Sequence, residues 1–127
     1  MMPDAPAAFL FEQFHDYLTF ERGLSQQTVA SYGRDLNGWF SFVEQVGVTS
    51  PEEVDIGMLR SWTYAIKENG MAPRSIRRAQ SAVRTYFRFL TIEGAVEVNP
   101  TDRLESPRIG RSLPDVLSQL EIGQVLE

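Results

Sequence analysis

The chain has 127 residues, of which 43% are hydrophobic, and a formal net charge of -5, which fits one domain with a real core. The absence of cysteine excludes disulfides and thiolate metal sites. No apolar run approaches the roughly 20 residues of a membrane span, and the start lacks a signal peptide's basic region, so we expect a soluble, cytoplasmic protein.

The first half of the chain predicts two helices after a small, flexible tail over residues 1–8. Apolar residues repeat at helical spacing over residues 9–22, and Gly23 supplies a stop. Ser25 is a good N-cap for a second helix that runs to about Val46.

The middle of the chain predicts one short turn followed by a third main helix. Residues 50–53, SPEE, form a capping-box pattern with proline at the first helical position. Asp55 is the expected cap of the third helix, which closes at Asn69 and Gly70.

The fourth helix, over residues 72–93, is the most informative stretch. It carries five arginines and no acid before its last residue. When the stretch is placed on a helix that turns 100° per residue, its apolar residues fall within a sector about 100° wide. They are Ile76, Ala79, Val83, Tyr86, Phe87 and Leu90. The opposite side holds Arg74, Arg77, Arg78, Ser81, Arg84, Thr85 and Arg88. One side can pack on a core while the other contacts phosphates and base edges.

The distribution of charge matters more than its total. Residues 72–111 carry eight of the twelve basic residues, whereas residues 1–71 carry ten of the seventeen acidic residues. Because charges separated by more than a Debye length of about 8 Å are largely screened, a local basic surface can bind phosphates despite a negative total.

After Gly94 the composition changes. Residues 95–117 contain three prolines and few apolar residues, which predicts an extended linker with one short turn. Residues 118–121, SQLE, form another capping box that opens a helix cut off at residue 127. We therefore expect the chain to be a fragment of a longer protein, with residues 118–127 the start of a second domain.

Three stretches together resemble the Xer and phage-integrase group of tyrosine recombinases. Residues 23–42 resemble the second-helix signature of that family, residues 72–94 its fourth-helix signature, and residues 99–127 its interdomain linker and first catalytic-domain helix. The match follows the family's order and is closest to the Xer type. It departs slightly where SPR stands in place of the SPK of many relatives.

The resemblance implies an all-α fold, a four-helix SAM-like core-binding bundle over residues 9–94 that forms half of a clamp around duplex DNA. In the family the other half holds the active site, with two arginines, a lysine, one or two histidines and a tyrosine nucleophile. This chain has one histidine, His15, and one lysine, Lys67, and its four tyrosines fall in predicted bundle helices. We expect it to bind DNA without cutting it, with no cofactor, metal or small molecule.

Helix angle and resemblance together select the candidate DNA contacts. On the fourth helix they are Arg74, Ser75, Arg77, Arg78, Ser81, Arg84 and Arg88. Arg78 and Ser81 are central enough for base contact, and the arginines nearer the ends suit phosphates. On the second helix the candidates lie off the apolar stripe, and they are Ser25, Gln27, Thr28, Ser31 and Arg34, with Ser25 first of all a cap.

Tyr32 is expected in the core, with its hydroxyl near the surface. Core positions are also expected for Phe9, Phe11, Phe14, Trp39 and Trp62. The expected partners are double-stranded DNA and other recombinase protomers, with four protomers assembled on two DNA sites. The phenylalanines of the first helix are alternative contacts between protomers.

Two rival functions stay open. One is an all-helical protein-interaction domain whose basic face meets an acidic partner, and the other is a transcription regulator with a helix-turn-helix.

Overall fold

The computed structural model describes residues 2–106 and confirms the predicted all-helical fold. Four α-helices appear in chain order: α1 (Phe11–Asp16), α2 (Gln26–Val46), α3 (Ile56–Glu68) and α4 (Pro73–Ile92). Shorter turns lie at Ala7–Phe9, Tyr17–Glu21, Pro51–Glu53 and Pro100–Arg103. Within residues 2–106 there is no strand, and none of the helices is long and apolar enough to cross a membrane.

Most of the helix ends follow from local signals: capping side chains, proline and glycine. The Ser25 hydroxyl accepts a hydrogen bond from the Thr28 amide at 3.2 Å, which confirms it as the cap of α2. The Asp55 carboxylate accepts one from the Met58 amide at 2.9 Å and caps α3. Gly47 follows α2 with a φ of 101°, a left-handed conformation in which glycine has no steric penalty.

The helix predicted over residues 9–22 is present from Phe11 to Glu21, but its predicted start at Phe9 was wrong. A 3₁₀ turn ends at Phe9, Leu10 takes a left-handed φ of 56°, and α1 then gives way to a π-helical turn at Tyr17–Glu21. In a continuous helix, residues two apart point in nearly opposite directions. Here Phe9 and Phe11 are both buried, with rings stacked 5.7 Å apart, so the backbone reversal at Leu10 lets both enter the core.

The short turn predicted at residues 50–53 is present, but its capping box is not formed. The Ser50 side chain caps no backbone amide. The Glu53 carboxylate instead accepts hydrogen bonds from the Thr49 amide at 3.3 Å and the Thr49 hydroxyl at 2.8 Å. These bonds lower the pKa of Glu53, so this acid helps to hold the chain between α2 and α3.

An aromatic cluster forms the centre of the bundle, and Tyr86 of α4 joins its parts. The Tyr86 ring lies 4.8 Å from Phe11, 5.4 Å from Phe14 and 5.6 Å from Trp39, measured between centroids. Its buried hydroxyl donates to the Phe9 carbonyl at 2.6 Å, and burial raises the pKa of Tyr86, so the donor proton is retained. The core assignments of the first-helix phenylalanines and both tryptophans are confirmed, since all are at most 5% exposed.

The residues after α4 fold back along the bundle. Gln80 of α4 is fully buried, and its Nε2 donates to the Thr63 hydroxyl and the Glu105 carbonyl, each at 3.0 Å. Arg60 of α3 forms a two-point ion pair with the Glu105 carboxylate, which lowers the pKa of Glu105. The predicted short turn of this segment is present at Pro100–Arg103. The rest of the predicted linker from residue 107, and the helix from 118, lie outside the described residues.

We predict that Tyr86→Phe lowers the free energy of unfolding by about 1–2 kcal/mol, because it leaves the buried Phe9 carbonyl without its donor. Urea unfolding followed by circular dichroism measures this. Tyr64→Phe is the matched control, because Tyr64 is 65% exposed and no hydrogen bond of its hydroxyl is seen within residues 2–106. Equal stability of the two variants would contradict the assigned role of the hydroxyl.

Candidate nucleic-acid interface

The exposed side of α4 is a stripe of arginines, here called the arginine face: Arg74, Arg77, Arg78, Ser81, Arg84, Thr85 and Arg88. Every residue predicted on the opposite side of α4 is buried. The arginine face therefore points away from the core, with Arg84 and Thr85 half-buried and the rest exposed. At 1.5 Å per residue, it extends roughly 21 Å along the helix from Arg74 to Arg88.

Most of the cationic groups on this face have no acidic partner. Among the residues that the structure describes, no carboxylate lies within ion-pair distance of Arg74, Arg77, Arg84 or Arg88. The first turn of α4 also contains no acid. Four guanidinium groups are thus available to an external anion along one line.

A groove of about 430 Å³ runs between α2 and the arginine face. Its walls bring together residues far apart in the chain: Thr28, Ser31, Tyr32 and Asp35 from α2, and Arg77, Arg78, Ser81 and Ala82 from α4. Five of the predicted contacts therefore meet here, from both helices singled out by the sequence. Their hydroxyl and guanidinium groups can contact phosphates and base edges.

Arg78 differs from the other arginines of the arginine face because it alone has a carboxylate partner among the described residues. Its Nε and Nη2 donate to the two oxygens of Asp35, each at 3.0 Å. These bonds raise the pKa of the Arg78 guanidinium. Sequence reasoning missed Asp35, although it stands four residues after Ser31, on the same side of α2.

The start of α2 adds hydrogen-bond donors at one end of this surface. The Ser25 hydroxyl is occupied as the cap and also donates to the Thr28 hydroxyl at 3.0 Å. Gln27 and Arg34 are exposed but do not line the groove. The first turn contains no acid, so the positive end of the helix dipole is unopposed and favours an anion.

The remaining candidates on α4 lie outside the groove. Arg74 and Ser75 are in its first turn, and Arg84 and Arg88 continue the arginine face beyond Ser81. Ser75 is half-buried, and the Arg84 carbonyl accepts a bond from Asn99 at 3.5 Å. These positions suit contacts along a phosphate backbone more than contacts inside the groove.

Tyr32 both packs and lines the groove. It is half-buried, and its ring lies edge-on to Phe14 with centroids 6.2 Å apart, in agreement with the predicted core role. Its position in the groove wall puts part of the side chain beside Arg77 and Arg78.

A larger groove, of about 730 Å³, has the opposite charge. It lies between the start of α3 and residues 96–103. Its charged lining residues are four acids, Glu52, Asp55, Glu97 and Asp102, and one base, Arg103. Phosphates would be repelled there, so the molecule separates an acidic groove from a basic one.

Comparison with known proteins assigns the chain to a family. The family model described as phage integrase, N-terminal SAM-like domain, matches residues 11–94. The chain is 36% identical to the tyrosine recombinase XerD of Chlorobaculum tepidum over 116 residues, 91% of this chain and 38% of that protein. It is 35% identical to XerC of Vibrio cholerae over 126 residues, 99% of this chain and 40% of that protein. No solved structure is significantly similar.

We predict that Ser25→Ala lowers the free energy of unfolding by about 1 kcal/mol, because the Thr28 amide loses its acceptor. Thermal or urea unfolding measures the change. Ser41→Ala removes a hydroxyl from the exposed side of the same helix and should leave stability within about 0.5 kcal/mol of the parent. A loss no larger than that of the control would show that the cap contributes nothing.

Proposed function

The chain belongs to the family of phage integrase N-terminal SAM-like domains, and on that premise we propose that it is the duplex-DNA-binding module of a Xer-type site-specific tyrosine recombinase. The observation that carries the proposal is the arginine face, in which four arginines have no acidic partner within residues 2–106 and lie beside a groove of hydroxyl and guanidinium groups. Such an arrangement suits a regular array of phosphates with base edges beside it.

In this proposal α4 lies along the DNA with its arginine face inward. The major groove of B-form DNA is about 12 Å wide and admits an α-helix. Arg74, Arg77, Arg84 and Arg88 contact phosphates, and the exposed Ser81 lies near the base edges. The start of α2 contacts the backbone through Gln27, Thr28 and the free amides of its first turn.

The chain spans about two fifths of the length of the curated relatives it matches. We therefore propose that strand exchange depends on a catalytic portion beyond the aligned region, and that this chain supplies binding alone. In this arrangement residues 9–94 are the core-binding domain, residues 95–117 connect it to the catalytic portion, and residues 118–127 begin that portion. Four such protomers would assemble on two DNA sites.

We predict that Arg77→Ala/Arg84→Ala weakens binding to a labelled duplex of about 30 base pairs and makes the dependence of affinity on salt less steep. Each lost phosphate contact reduces the log–log slope by about 0.9, so the slope should fall by about 1.8. Fluorescence anisotropy at several salt concentrations, on a candidate recombination site and a scrambled duplex, measures both quantities.

The matched control is Lys67→Ala/Arg103→Ala, which removes two positive charges from exposed positions outside α2 and α4. It changes net charge equally, so it should leave affinity and slope close to those of the parent. Equal weakening by the two double variants would indicate a general charge effect. Salt-insensitive binding, or no binding at low salt, would favour an acidic protein partner for the arginine face.

A further inference from the structure

We propose that Asp35 is a positioning residue that holds Arg78 in the orientation needed to read a guanine in the DNA major groove. The inference rests on the proposed function and assigns different contacts to the residues of the arginine face. Arg78 contacts and specifies a base, while the other arginines contact phosphates.

The geometry of the ion pair leaves the reading edge of Arg78 free. A guanidinium has five N–H donors, and Asp35 takes the edge formed by Nε and Nη2. The end-on edge, formed by Nη1 and the second hydrogen of Nη2, has no partner within residues 2–106. Guanine presents two acceptors, O6 and N7, on its major-groove edge, and an arginine fork bonds both at once.

The exposure of the two partners supports the same assignment. Only 8% of the Asp35 side chain is exposed, whereas 57% of the Arg78 side chain is. The carboxylate is therefore a fixed support within the groove wall, and the guanidinium projects into the groove. Because its rotamers are already restricted, less conformational entropy is lost when the base is bound.

The pair also makes Arg78 a poor phosphate ligand compared with its neighbours. Its positive charge is offset by the carboxylate 3.0 Å away, whereas Arg77, in the same groove, has no such partner among the described residues. A phosphate approaching Arg78 would meet both charges. We therefore expect Arg78 to contribute discrimination between sequences and little of the salt dependence.

The test is selection of bound duplexes from a pool with a randomised site, followed by anisotropy on the selected duplex and on single-base-pair variants. The parent chain should prefer guanine at one position. Asp35→Asn and Arg78→Ala should each reduce the preference at that position by about 5- to 150-fold, the range for one bidentate base contact. Their combination should lose no more than either alone, because both act on one contact.

Three comparisons separate positioning from a structural effect. Arg78→Lys keeps the charge but lacks the fork, so it should lose the preference as Arg78→Ala does. Glu44→Gln, at an exposed position of α2, matches the charge change of Asp35→Asn and should keep the preference. The salt slope should be unchanged in Arg78→Ala but reduced by about 0.9 in Arg77→Ala.

Unchanged preference in Asp35→Asn with duplex binding intact would overturn this inference alone. Uniform weakening of Arg78→Ala on all duplexes, with a smaller salt slope, would make Arg78 a phosphate contact and also overturn it. Absence of any duplex binding by the parent chain would overturn the proposed function as well. Thermal unfolding of each variant checks that it folds. If Asp35→Asn does not fold, the loss or retention of the guanine preference in Arg78→Lys decides whether Arg78 reads the base.

Discussion

The packing of α4 through the aromatic cluster is the constraint on which the rest of the structure depends. Tyr86 reaches Phe11, Phe14 and Trp39, and its hydroxyl bonds the Phe9 carbonyl, so one side of α4 is fixed against α1 and α2. The helix cannot rotate without breaking these contacts. Its arginine face is consequently held toward solvent, beside the hydroxyl groups of α2.

The separation of charge follows from the same arrangement. The core fixes which residues of α4 face outward, and the segment after α4 folds back along α3 and α4 through the bonds of Glu105 to Arg60 and Gln80. Carboxylates of that segment and of the start of α3 then line their own groove. A chain with a net charge of -5 can thus present a surface suited to phosphates, because Asp35 is the single acid among the described residues that line the basic groove.

The sequence predicted what depends on neighbours along the chain and missed what depends on neighbours in space. The caps at Ser25 and Asp55 and the two sides of α4 follow from local chemistry and helical period, and all are confirmed. The reversal at Leu10 serves the burial of two rings and has no local signal. The Asp35–Arg78 pair joins residues 43 apart, so helix angle could place each on a face but could not show that they meet. The DNA contacts themselves remain predictions.

We propose above that duplex DNA binds along α4 and the start of α2. An NMR titration of the isotope-labelled chain with an unlabelled duplex of about 30 base pairs tests it most directly. We predict saturable shifts of the amide signals at Thr28, Ser31, Arg77 and Ser81, and little change at Val54 and Asp102 in the acidic groove. The largest shifts in the acidic groove, or no saturable shifts on α4, would contradict it.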